Sequence, residues 1–90
     1  MPVVKDNPER SRFEMVEGGE VVFADYRRDG ARLYIDHVEA PASLRGTGAA
    51  GRFMEGLVEA ARAEGATIVP ICSYAVHWLA RHPEAARGVV

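Results

Sequence analysis

Two groups of residues in this chain have the types and spacing to do chemistry. The first is Leu44-Arg-Gly-Thr-Gly-Ala-Ala-Gly51, a run of small residues ahead of an apolar repeat of helical period. A helix N-terminus carries unpaired N–H groups and a partial positive charge. Glycine lets that backbone come close to an anion and adopt positive φ. Such a loop is suited to cradling a diphosphate. No Gly-Lys-Ser/Thr follows it, so it is not a P-loop, and its glycines lack the dinucleotide-fingerprint spacing. Arg45 adds a cation for charge-assisted bonds, whereas Arg52 reads as a solvated helix-surface arginine.

The second group lies at strand ends. His37 is a candidate general base, because an unperturbed imidazole changes charge at about 6.5, suited to taking a proton at neutral pH. Glu39 is the alternative base, acting through water, and faces the same side as His37 if the strand continues. The plain alternatives are a sheet-facing imidazole satisfied by backbone and a solvated carboxylate. Cys72 closes an apolar run and precedes a helix, a position that in general favours the thiolate. It reads either as an activated nucleophile or as a buried small hydrophobe. Tyr74 and Trp78, four residues apart on one helix face, are expected in the core. His77 and His82 lack partners at zinc-ligand spacing, so no metal is expected.

The elements that position these groups follow from periodicity. Ser11–Glu17, Glu20–Arg28 and Ala31–Val38 read as strands, joined by Gly18-Gly19 and Asp29-Gly30 turns. On the third, Leu33, Ile35 and His37 share one face, and Tyr34, Asp36 and Val38 the other. Ala50, Phe53, Met54, Leu57, Val58 and Ala61 form the stripe of an amphipathic helix ending near Gly65. Thr67–Ile71 is a short buried strand, parallel to the third strand through a crossover. Ser73 caps a last helix, Tyr74–Arg81, which Pro83 stops. Residues 1–10 read as a loose arm or an edge segment, and the tail after Glu84 carries no signal. The fold class is therefore α/β of the α+β type: an antiparallel three-strand meander, a strand–helix–strand crossover and a C-terminal helix, all in one domain spanning 1–90.

Composition narrows the partners. Eleven basic and 13 acidic residues leave a net charge of −2, without the clustered positive charge that nucleic acid requires. No apolar run approaches the ~20 residues that span a membrane, and the N-terminus has no secretory core. A lone cysteine excludes an intrachain disulfide and fits a cytoplasmic setting. A monomer or weak homodimer is expected, with sheet edges that need cover.

Arg45-Gly46-Thr47-Gly48-Ala49-Ala50 fits the pattern Arg/Gln-x-x-Gly-x-Gly/Ala, and here the chain resembles the GNAT superfamily of N-acetyltransferases. Asp36–Pro41, Val69–Tyr74 and His82-Pro83 resemble its unusually short members, so the likeness runs from about Tyr34 to Glu84. Where those proteins carry Thr after the histidine, this chain carries Val38, which removes a hydroxyl. The resemblance implies acetyl-CoA as cofactor, with its diphosphate on the N–H groups of Gly46, Thr47, Gly48, Ala49, Ala50 and Gly51, assisted by Arg45. It implies that the third and last strands splay around the pantetheine arm, with backbone near His37 and Val38 bonding it. It places Cys72 near the coenzyme A sulfur and makes Tyr74 a loose match for a proton donor. The function implied is acetyl transfer to an amine of unspecified identity, on a small molecule or a protein. Without N-terminal helices to shape an acceptor pocket, a coenzyme A or acyl-CoA binding module with little catalysis is the alternative. A third reading is an interaction domain with no small ligand.

Overall fold

The computed structural model describes residues Val3 to Val90; Met1 and Pro2 of the expected arm lie outside the described residues. Five strands form one sheet in sequence order: β1 (Lys5–Asn7), β2 (Arg12–Glu17), β3 (Glu20–Asp29), β4 (Arg32–Glu39) and β5 (Thr67–Pro70). The first three pairings are antiparallel and β4–β5 is parallel. Between β4 and β5 runs α1 (Ala49–Glu64); α2 (Ser73–Arg81) and the single turn α3 (Pro83–Ala86) follow. The meander thus has four strands, not three. Lys5–Asn7 is an edge strand rather than a loose arm, tied down where the Tyr26 hydroxyl donates to Asp6 at 2.6 Å.

Gly18 and Gly19 both take positive φ, +59° and +78°. Two such residues in a two-residue hairpin match the twist of the strands they join. Alternation then sends Phe13 and Met15 of β2, Val22, Ala24 and Tyr26 of β3, and Leu33 and Ile35 of β4 to one face, where all are buried. The stripe on α1 meets them with Phe53, Met54, Leu57, Val58 and Ala61, and α2 adds Ala75, Trp78 and Leu79 to the same core. The opposite face of the sheet carries the polar half of the alternation, including Arg12, Glu14, Asp25 and Arg27.

One irregularity in β4 decides where the candidate site faces. Opposite β3, Ile35 pairs with Tyr26 but His37 pairs with Asp25, so Asp36 is an extra residue, a β-bulge. Arg27 holds it with two hydrogen bonds, at 2.7 and 2.8 Å. A one-residue insertion reverses the facing of everything after it. Val38 therefore pairs with core-facing Ala24 and packs on the core, while His37 and Glu39 turn to the outer face. The expected grouping of His37 with Leu33 and Ile35 is corrected by this bulge.

The parallel pairing of β4 with β5 ends at Ile35 opposite Pro70. The Ile35 carbonyl still accepts from Ile71 and Cys72 as the chain leaves for α2. Beyond that point Asp36–Glu39 have β3 on one side and no strand on the other. The outer edge of β5 is covered by the tail. Val89 is buried, and its carbonyl accepts from the Ile68 N–H at 2.5 Å, so the tail is part of the core.

Candidate functional site

A 3-10 turn at Ala42–Leu44 leads from β4 into the glycine loop. Gly48 is the N-cap of α1 at φ +85°, a left-handed conformation that costs a residue with a side chain about 1 kcal/mol or more. The loop is folded by its own polar groups. The Thr47 hydroxyl donates to the Leu44 carbonyl at 2.5 Å and accepts from the Ala49 N–H at 3.3 Å. The Arg45 and Thr47 N–H groups donate to Ala42 and Leu44. What remains is a set of four donors: the N–H groups of Gly46, Gly48, Ala50 and Gly51 have no acceptor among the described residues. Of the loop donors expected to hold an anion, those of Thr47 and Ala49 are therefore engaged within the loop.

Arg52 is not the solvated arginine expected. Its Nη1 donates to the Thr47 carbonyl at 3.2 Å, while Nε and Nη2 grip the Glu17 carboxylate at 2.9 and 2.5 Å. The end of β2 is thereby stapled to the glycine loop, a role the sequence reading missed because the two residues lie 35 apart. The hydrogen bond from Arg52 holds the Glu17 carboxyl below its ordinary value of 4.5. A lowered folded-state pKa contributes stability above the unfolded value, and this is lost as pH falls through the folded one. Glu17→Gln is therefore expected to lower the melting temperature slightly near neutrality. That difference from wild type should close in acid, as thermal melts over a pH series will read.

Beside the loop lies a cleft of about 290 Å³ lined by His37, Val38, Glu39, Ala40, Arg45, Ala50 and Tyr74. It brings together six of the residues singled out from the sequence: His37, Val38, Glu39, Arg45, Ala50 and Tyr74. A larger groove of about 870 Å³ runs between Val3–Val4 and α1, but its walls are mostly apolar and its Arg52 is already engaged by Glu17. The smaller cleft is the one with convergent polar groups, and it is the candidate site.

At the rim of the cleft, on the outer face of the sheet, His37 Nε2 and Glu39 Oε1 are 3.0 Å apart, each side chain about half exposed. An ionised carboxylate only accepts, so Nε2 carries the hydrogen of this bond. The other ring nitrogen, Nδ1, is left without a partner among the described residues. The Phe23 ring stands edge-on to the imidazole, centroids 6.3 Å apart. Tyr74, expected in the core, is instead 38% exposed and lines the cleft. Its pKa is raised, first by burial and then by the neighbouring Cys72. The helical spacing with Trp78 hid this: Trp78 is buried and Tyr74, one turn nearer the N-terminus, reaches the helix end.

Cys72 lies outside the cleft lining. Its Sγ accepts from the Ala75 N–H at 3.4 Å and caps α2, so the N-cap is Cys72 and not Ser73. Cys72→Ala is expected to cost about 1 kcal/mol of stability, while Cys72→Ser, whose hydroxyl is a better cap, keeps it or adds to it. Chemical denaturation of the two variants checks this.

Residues 12–88 match the family described as GCN5-related N-acetyl-transferase. A comparison with curated proteins found no significant match. Among solved structures, the chain is similar to a GCN5-like protein from Staphylococcus aureus determined in solution by NMR. The TM-score is 0.66 at 24% identity, over 96% of this chain and 84% of that one, a likeness that speaks to the fold.

Proposed function

This chain belongs to the GCN5-related N-acetyltransferase family, and from that premise we propose that it transfers the acetyl group of acetyl-CoA to an amine. One observation carries the reading. Arg45 and Ala50, from the loop with the unpaired N–H groups, wall the same cleft as the His37–Glu39 pair. The loop that would hold an anion and the strand end that carries the His37–Glu39 pair thus border one cleft.

When bound, acetyl-CoA supplies an activated thioester. The N–H groups of Gly46, Gly48, Ala50 and Gly51 hold its diphosphate, with Arg45 adding charge. Thr47 and Ala49 keep the loop in the shape that frees those donors. The unpaired end of β4, with Val38 at its centre, offers backbone groups to the pantetheine arm. His37 takes the proton of the incoming amine at Nδ1, and Glu39 orients the ring and stabilises the imidazolium. Tyr74, held protonated by burial, gives its proton to the leaving thiolate. Cys72 supports α2 beside these groups, and neither transfer step needs an acetylated thiol.

Calorimetric titration with acetyl-CoA, followed by mass spectrometry of the protein and of a panel of amines, tests the reading. Saturable binding and acetylated amine with no adduct on Cys72 is the expected result. A +42 Da adduct on Cys72 that is passed to the amine would replace direct transfer with a two-step route. No binding at millimolar acetyl-CoA by the folded protein would end the proposal.

A further inference from the structure

We propose that the indole N–H of Trp78 is a further donor to the diphosphate seated at the start of α1, alongside the backbone N–H groups of the glycine loop. The inference rests on the acetyl-CoA reading and adds to it a residue from a different element. Trp78 is 7% exposed as a residue; its Nε1 has no acceptor among the described residues and is not buried, so the N–H opens to solvent at the edge of an otherwise buried ring. A solvent-open indole N–H on a ring otherwise held in the core is a donor that a ligand can take without displacing a protein partner. The ring is fixed in place. It stacks on His82 with centroids 4.0 Å apart and planes 15° from parallel, and His82 in turn hydrogen-bonds the Trp78 carbonyl at 2.8 Å.

That fixed ring aims its nitrogen at the first turn of α1. A Cβ built on Gly51 would stand 3.6 Å from Trp78 Nε1, with no other heavy atom outside the local chain as near. Gly51 is one of the four residues whose N–H is unpaired, so the indole nitrogen lies beside the loop donors. Two features that look wasteful singly make sense together. Glycine inside a helix costs roughly 0.5–1 kcal/mol relative to alanine, and the indole N–H of Trp78 makes no hydrogen bond to the described residues. Glycine at 51 keeps the indole N–H open to an anion, and the anion satisfies the indole.

The chain has one tryptophan, so its indole resonance is unique. In proton–nitrogen NMR of the labelled protein, coenzyme A is expected to move that resonance downfield and slow its exchange with water. Pantetheine, which lacks the diphosphate, is expected to leave it in place. By calorimetry, Trp78→Phe is expected to weaken coenzyme A binding roughly tenfold or more, the usual worth of a hydrogen bond to a charged group. Gly51→Ala is expected to raise the melting temperature while weakening binding, two effects of opposite sign that a merely structural contact does not produce. If coenzyme A binds while the indole resonance stays put and the affinity of Trp78→Phe is within twofold of wild type, the inference is overturned alone. An equal shift with pantetheine overturns it as well. If coenzyme A does not bind the wild-type protein at all, the functional reading beneath it falls instead.

Discussion

Gly48→Asp is expected to weaken acetyl-CoA binding by on the order of 100-fold beyond Gly48→Asn. The two variants separate charge from geometry. Both must hold φ +85° at the N-cap, and Asn and Asp are the side-chain-bearing residues that tolerate this conformation best. Both place a Cβ 3.1 Å from Arg52 Nη1, the far end of a flexible side chain that can give by a few tenths of an ångström. Only Asp adds a negative charge beside the unpaired N–H groups of Gly46, Ala50 and Gly51. A unit charge about 4 Å from one charge of a diphosphate is repelled by about 4 kcal/mol at an effective dielectric near 20, and solvent screening lowers this to a few kcal/mol. Circular dichroism and thermal melts establish that both variants fold, and calorimetry gives the ratio of their dissociation constants. Equal losses in the two would mean that backbone shape and not charge governs binding, and the diphosphate would have to sit elsewhere.

Much of this site was legible because local rules govern it. The α1 stripe, the Gly18-Gly19 turn and the glycine loop are each written in contiguous residues, and each is found where periodicity or turn chemistry places it. What escaped depends on contacts between distant segments or on single-residue shifts. The Glu17–Arg52 staple joins residues with no local relation. The buried role of Val89 depends on where the chain returns after α3, which composition does not disclose. Cys72 displaced Ser73 as the cap because the strand ends one residue early, at Pro70, and the helix starts at Ser73.

The bulge at Asp36 is the instructive case. The run Leu33, Ile35, His37 looks like unbroken alternation, and nothing in it flags an insertion. The signal was in the apolar set alone: Leu33, Ile35 and Val38 step by two and then by three, with polar His37 and Glu39 on either side of Val38. A three-residue step between core-facing residues in a strand is what one inserted residue produces. Read that way, the sequence places His37 and Glu39 on the open face together, which is the arrangement that makes them a pair.

That pairing sets the second large effect. His37→Ala is expected to lower kcat by about 10²–10⁴-fold, the usual share of a general base, with little change in acetyl-CoA affinity because the loop donors are untouched. Glu39→Gln is expected to lower kcat less, since the amide still reaches Nε2 but no longer carries the charge that stabilises the imidazolium. The decisive measurement is the double variant. The two side chains are joined by one 3.0 Å hydrogen bond, and residues that act through one another are not additive. His37→Ala with Glu39→Gln should be no slower than His37→Ala alone, because a positioning carboxylate has nothing left to position. If the losses multiply, Glu39 takes protons in its own right, through water, and the base is the carboxylate. If His37→Ala alone leaves kcat intact, the imidazole is a spectator on the open face of the sheet, and Glu39 carries the proton transfer unaided.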